Sequence, residues 1–163
     1  MSIVTGKYML PGVVATKLWG GKLATAIAKN EYFITRGATI YLSGDLGSGK
    51  TTLVQGLLSK LGVTGAIQSP TFNLIHTYSI PPIEATHVDL YRITNPIAAA
   101  TLDLELYHER PMSILAIEWA ENGLPVIPKA DIQISMDENN RGNGRVIILS
   151  VINSAFSSVI SEM

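Results

Sequence analysis

Apolar positions recur along this chain in two rhythms, a helical one of three to four residues and short unbroken runs of the kind buried strands carry. Between residues 13 and 29, Trp19, Leu23, Ala26 and Ile27 fall at i, i+4, i+7 and i+8 and predict a helix. Gly20-Gly21 inside it costs about 1 kcal/mol per glycine relative to alanine, which weakens its first turns. Thr39–Ser43 (TIYLS) predicts a buried strand. From about Lys50 to Leu61, Leu53, Leu57 and Leu61 keep helical register, and Gly62 stands at the expected stop. Phe72–Ile80 and Ala85–Leu90 read as strands separated by Pro81-Pro82. Asn95-Pro96 supplies an N-cap and a first-turn proline for a helix to about His108, ended by Pro111. Met112–Ile117 is another apolar strand, and Asp131–Met136 and Arg145–Ile152 are two more, joined by the turn-rich ENNRGNG. Strands alternating with helices predict an α/β sheet covered on both faces. No repeat or linker divides the chain, so the expectation is one domain over 1–163, with a core from about 11 to 152 and a peripheral segment 153–163.

Composition narrows the chemistry. With 163 residues, 47% of them apolar, the chain can bury a real core, and disorder is excluded. The absence of cysteine removes disulfide scaffolds, thiolate zinc sites and iron–sulfur clusters. Twelve basic and 13 acidic side chains leave a net charge of −1, without a global field for nucleic acid. No basic run or aromatic-interleaved stripe of the kind RNA readers use is present. Apolar runs such as Val146–Leu149 fall far short of a membrane span, and MSIVTGKYMLPG lacks a secretory pattern. The expected location is the cytoplasm.

One segment carries explicit chemistry. Gly44-Asp45-Leu46-Gly47-Ser48-Gly49-Lys50-Thr51 matches G-x-x-x-x-G-K-T, with Thr52 continuing into the helix. The glycines allow successive N–H groups to turn inward around a phosphate, and the following helix points its positive end at the same anion. Lys50 then reaches the β- and γ-phosphates of a nucleotide, and the Thr51 hydroxyl ligates magnesium. The strand before the motif and the helix after it are the context this reading requires.

Such a loop needs an acidic group at a neighbouring strand end. Glu118 closes the apolar run Ile114–Ile117 and is the favoured magnesium-side group. Asp89, in Thr86-His87-Val88-Asp89-Leu90-Tyr91-Arg92, is the second candidate, as a magnesium-shell or water-orienting group; exchange of the two roles stays open. Thr71, in Ser69-Pro70-Thr71, either approaches the γ-phosphate as a switch segment does or merely shapes a turn. Trp119 is core packing or a partner-facing anchor. His76, His87 and His108 lack metal-ligand spacing and read as structural or surface residues.

Together, GDLGSGKTT at 44–52, SPTF at 69–72, HVDLYR at 87–92 and IEW at 117–119 resemble the TsaE (YjeE) family of bacterial ATPases in tRNA threonylcarbamoyladenosine biosynthesis, over about residues 11–150. The resemblance implies a P-loop NTPase-like three-layer αβα domain, mostly parallel in its central sheet with antiparallel edge strands. It also implies ATP (and product ADP) with Mg2+, slow hydrolysis, and work beside the TsaD–TsaB complex, with tRNA contacted through those partners. Lys50 and Thr51 become phosphate and magnesium residues, Glu118 a magnesium-site residue, Asp89 a residue needed for hydrolysis and Thr71 part of a switch. Val13 would lie near the adenine. One departure is Ile97-Ala98-Ala99-Ala100, where family members are usually rich in Glu. The competing enzyme class is a small-molecule kinase, which needs a lid of phosphate-directed arginines; the five here, Arg36, Arg92, Arg110, Arg141 and Arg145, are scattered. Neither N-K-x-D nor D-x-x-G occurs, which argues against a GTPase. A nucleotide-dependent adaptor is the non-enzyme alternative.

Overall fold

The computed structural model describes residues 3–163, in which seven strands form one sheet in the order β1-β7-β6-β2-β5-β4-β3. The strands are β1 (Val4–Leu10), β2 (Ala38–Ser43), β3 (Ile75–Ile80), β4 (Ile83–Asp89), β5 (Ser113–Glu118), β6 (Ile132–Glu138) and β7 (Arg145–Val151). β6, β2, β5 and β4 run parallel, and β1–β7, β7–β6 and β4–β3 pair antiparallel at the two edges. The middle strands β2 and β5 are buried almost throughout, as an apolar run flanked by covering layers must be.

The helices are α1 (Val13–Ala28), α2 (Glu31–Arg36), α3 (Lys50–Leu61), α4 (Pro96–Ala100) and α5 (Ser158–Glu162). One core cluster joins α1, α3 and α5 to the first face of the sheet. The second face is covered more thinly, by α4 and short 3-10 turns, around Leu90, Leu104 and Ile127.

Gly20-Gly21 has a packing reason. A Cβ on Gly20 would run into the Leu53 carbonyl, and one on Gly56 into the Lys17 carbonyl, so α1 and α3 touch backbone to backbone. Gly56→Ala is therefore expected to cost about 1–3 kcal/mol. That is a fall of roughly 2–12 °C in Tm by calorimetry, whereas an unchanged Tm would contradict the close crossing.

Several elements differ from the sequence expectation. β1 and α2 were not expected; Asn30 caps α2 by accepting hydrogen bonds from the Tyr32 and Phe33 amides, and Gly37 ends it at φ 76°. The strand expected from Phe72 begins only at Ile75, because residues 71–73 form a turn, Leu74 sits at φ 66° and Phe72 is 82% exposed. The helix expected to reach His108 stops at Ala100, and Asp103 turns left-handed before a 3-10 turn, Leu104–Tyr107. Ala99 and Leu104 are both buried, yet five residues apart on one helix they would point about 140° away from each other. The break lets both face the sheet. The segment 153–163, expected at the periphery, sends Phe156 and Val159 fully into the core. Among the described residues no helix is long and apolar enough to cross a membrane.

Candidate nucleotide site

β2 delivers the chain to the middle of the sheet's C-terminal edge, the place where open α/β sheets bind ligands. Residues 44–49 then loop back and α3 starts at Lys50. Gly47 and Gly49 lie at φ 81° and 104°, angles that a side-chain-bearing residue meets only with strain. The N-terminus of α3 has no side-chain cap, so its first amides are free for an anion. Leu46, at the loop's tip, is exposed, while Ser48 is buried with its amide donating to the Asp45 carbonyl at 3.0 Å.

Lys50 is 4% exposed, and its ammonium donates to the carbonyls of Gly44 (2.6 Å) and Asp45 (2.9 Å) and to Ser48 Oγ (3.3 Å). The same Nζ lies 4.3 Å from the centre of the Trp119 ring, which in turn packs on Tyr91 at 5.0 Å. Burial pushes the Lys50 pKa down, against the pull of Glu118, Glu121, Asp89 and Asp45. A cation held at that cost beside carbonyl dipoles is poised for a stronger anionic partner.

Both predicted carboxylates arrive at this edge in register, Asp89 beside Glu118 at the ends of β4 and β5. They face different neighbours. Glu118, 2% exposed, accepts from Thr51 Oγ1 at 2.9 and 3.1 Å, across the start of α3. Asp89, 5% exposed, accepts from Ser69 Oγ at 2.7 Å and the Tyr91 amide at 2.9 Å. Thr71 Oγ1 donates to Ser69 Oγ at 3.1 Å, so the Ser69–Thr71 segment is tied to Asp89.

A cleft of about 340 Å³ gathers the residues from Leu46 to Thr52 that face solvent with Thr71, Asp89 and Glu118. It shares Gly49, Thr52 and Arg145 with a second hollow of about 220 Å³, where Val13 and Thr16 of α1 face Gly142 and Asn143 of the β6–β7 turn. Val13 thus lines the adjoining hollow, and Glu118 the cleft itself.

Four side chains at the site were not among its predicted members. His87, read as structural or surface, is fully buried with Nε2 2.9 Å from Glu118 Oε1. Because the carboxylate only accepts, that nitrogen carries the proton, and the buried Nδ1 has no partner. His87 lies two residues before Asp89, so strand alternation was the available signal. Trp119 packs against the second core cluster and also walls the cleft. Ser69 is the donor to Asp89. Arg145, one of the five arginines scattered in sequence, donates to the Gly47 carbonyl at 3.0 Å.

The arrangement fits a magnesium nucleotide. Among the described residues no three His, Asp or Glu side chains form a metal cage of their own. Magnesium commonly binds through one or two protein oxygens with phosphate and water, and Thr51 with Glu118 is such a set. Ser69→Ala removes one donor to Asp89 without touching the loop. For a nucleotide hydrolase at this site, the expected effect is a roughly threefold to tenfold change in hydrolysis with nucleotide affinity within twofold, on the scale of one net hydrogen bond, read from turnover and titration calorimetry. An affinity change as large as the rate change would contradict it.

Known proteins support one family. The sequence pattern of the family described as Threonylcarbamoyl adenosine biosynthesis protein TsaE matches residues 12–147. A protein of Haemophilus influenzae named tRNA threonylcarbamoyladenosine biosynthesis protein TsaE is 35% identical over 128 residues, 78% of this chain and 79% of its own length. Its namesake from Nostoc is 40% identical, with 80% of this chain and 78% of that one covered. The Bacillus subtilis namesake is 30% identical, with 85% of each covered. Among solved structures, Bacillus subtilis YdiB superposes with a TM-score of 0.75 at 24% identity, over 99% of this chain and 95% of that one, and so shares the fold.

Proposed function

This chain belongs to the TsaE family, and from that premise we propose that it is a magnesium-dependent ATPase serving threonylcarbamoyladenosine modification of tRNA, beside a TsaD–TsaB complex. The observation that carries the reading is the Thr51–Glu118 hydrogen bond at the foot of α3, next to the buried Lys50. Lys50 exchanges the carbonyls of Gly44 and Asp45 for the β- and γ-phosphate oxygens, and the loop amides at 44–51 cradle the same tail. Magnesium, when bound, supplies charge that offsets the negative phosphate oxygens. Thr51 and Glu118 hold it, and His87 keeps the Glu118 carboxylate in one orientation. Val13 and the β6–β7 turn enclose the base. Asp89 orients water for in-line attack on the γ-phosphorus; the bond to the leaving ADP oxygen breaks, and the products are ADP and phosphate.

Asp89 is only 5% exposed and is held by Ser69 on one oxygen and Tyr91 on the other. Its remaining lone pairs are shielded from water while the Ser69–Thr71 segment stays in place, so the isolated protein hydrolyses slowly and a partner that moves that segment speeds it. Among the described residues, Arg145 alone of the five arginines lines the cleft, which disfavours a kinase lid. Reconstitution with TsaD, TsaB and the enzyme supplying threonylcarbamoyl-adenylate tests the function. Repeated rounds of tRNA modification are expected to require both this chain and its ATP hydrolysis; rounds that need neither would refute it.

A further inference from the structure

A hollow larger than the nucleotide cleft lies elsewhere on the molecule. A groove of about 690 Å³ runs along the outer side of α1 and α3, with Gly21 and Gly56 as its floor. At Gly56 the two helices cross with no room for a side chain. On its rim stand Val14 and Leu18, 73% and 70% exposed, one helical turn apart. Around them stand Lys17, Lys22, Lys29 and Lys60, four of the chain's seven lysines. Neither α1 nor α3 contains a carboxylate.

Residues 162–163 answer only part of this charge. Lys22 Nζ donates to the Met163 carbonyl at 2.8 Å, and Lys29 lies 3.6 Å from Glu162. Lys17 and Lys60 have no ion pair among the described residues. A helix apolar toward the core and apolar again on its outer face asks for a cover. Lysines around an apolar trough specify what the cover carries.

We propose that this groove receives an acidic amphipathic helix of a protein partner, its apolar stripe on Val14 and Leu18 and its carboxylates toward Lys17 and Lys60. Helix-in-groove docking uses such a trough, with apolar anchors spaced i, i+3, i+4 and i+7. A nucleic acid is the poorer occupant, because the groove offers neither arginine nor an aromatic ring and spends its exposed surface on aliphatic side chains. The position also links partner to nucleotide. The groove is made by the two helices whose first turns line the nucleotide cleft (Lys50 of α3) and the hollow adjoining it (Val13 of α1), so a shift of α3 against α1 changes the trough.

The test rests on the TsaD–TsaB reading and uses that reconstituted complex as probe. Wild-type protein, Lys17→Glu/Lys60→Glu, Leu18→Asp and the distant surface change Lys129→Glu are compared by surface plasmon resonance at low and high salt. Expected are at least a tenfold weaker complex for the two groove variants, wild-type affinity for Lys129→Glu, salt sensitivity of the wild type, and ATP affinity within twofold throughout. A photoreactive residue at position 18 is expected to cross-link to an acidic helix. Groove variants that bind like the wild type, or an adduct on a basic segment, would overturn this inference alone. Failure of the wild type to bind at all would overturn it together with the partner reading. Wild-type binding to tRNA that the double reversal abolishes, with complex binding intact, would reassign the groove to nucleic acid.

Discussion

Lys50→Ala is expected to weaken ATP binding by roughly tenfold to a hundredfold, the scale of losing one or two charge-assisted hydrogen bonds. Turnover should fall further, by about 10²–10³, because charge that grows on the phosphate in the transition state loses its nearest fixed cation. Folding is not expected to suffer. The ammonium is buried at a cost that shows in its depressed pKa, and alanine removes that cost along with the hydrogen bonds to Gly44 and Asp45. Calorimetric titration with ATP and magnesium, set beside a thermal melt without nucleotide, separates the two effects. Wild-type affinity and turnover in this variant would remove the nucleotide site from residues 44–52.

Glu118→Gln is the second large effect. Glutamine keeps the shape and can still accept from Thr51 or His87, but it carries no charge. Hydrolysis is expected to drop roughly a hundredfold, and the magnesium concentration for half-maximal rate to rise about tenfold, as befits loss of a preorganised charge at the reacting phosphate. Binding of ATP in excess chelator should stay within twofold, since that measurement has no metal to lose. A variant with lower turnover and unaltered magnesium dependence would separate Glu118 from the metal. The roles of Asp89 and Glu118 would then have to be exchanged.

Parts of this architecture could be read from residue order and parts could not. The glycine loop between β2 and α3 was legible because its whole requirement is local: eight consecutive residues between an apolar run and an amphipathic helix. The buried strands β2 and β5 announced themselves as unbroken apolar runs with no polar face. β1 did not, because it is a half-exposed edge strand whose ladder comes from β7, with Val4 opposite Val151 at the far end of the chain. The helix after Asn95 was overestimated because its alanines favour helix locally, while Leu104 is drawn to the core by contacts the local pattern does not contain. Ser69 and Arg145 belong to the site only through pairings across 20 and 98 residues, which no spacing rule covers, whereas His87 shares a strand face with Asp89. Glycines 20 and 21, a defect by helix propensity alone, are explained once α3 is laid against them.

The stacking of Lys50 on Trp119 gives the protein a label-free optical reporter. The chain has two tryptophans, and the other, Trp19, is 5% exposed and packed on Tyr8 away from the cleft. A nucleotide that draws the ammonium off the indole alters the emission of one fluorophore against a constant background from the second. Stopped-flow mixing could then time occupancy of the loop in real time, and Trp119→Phe would silence the signal while leaving the Trp19 baseline in place.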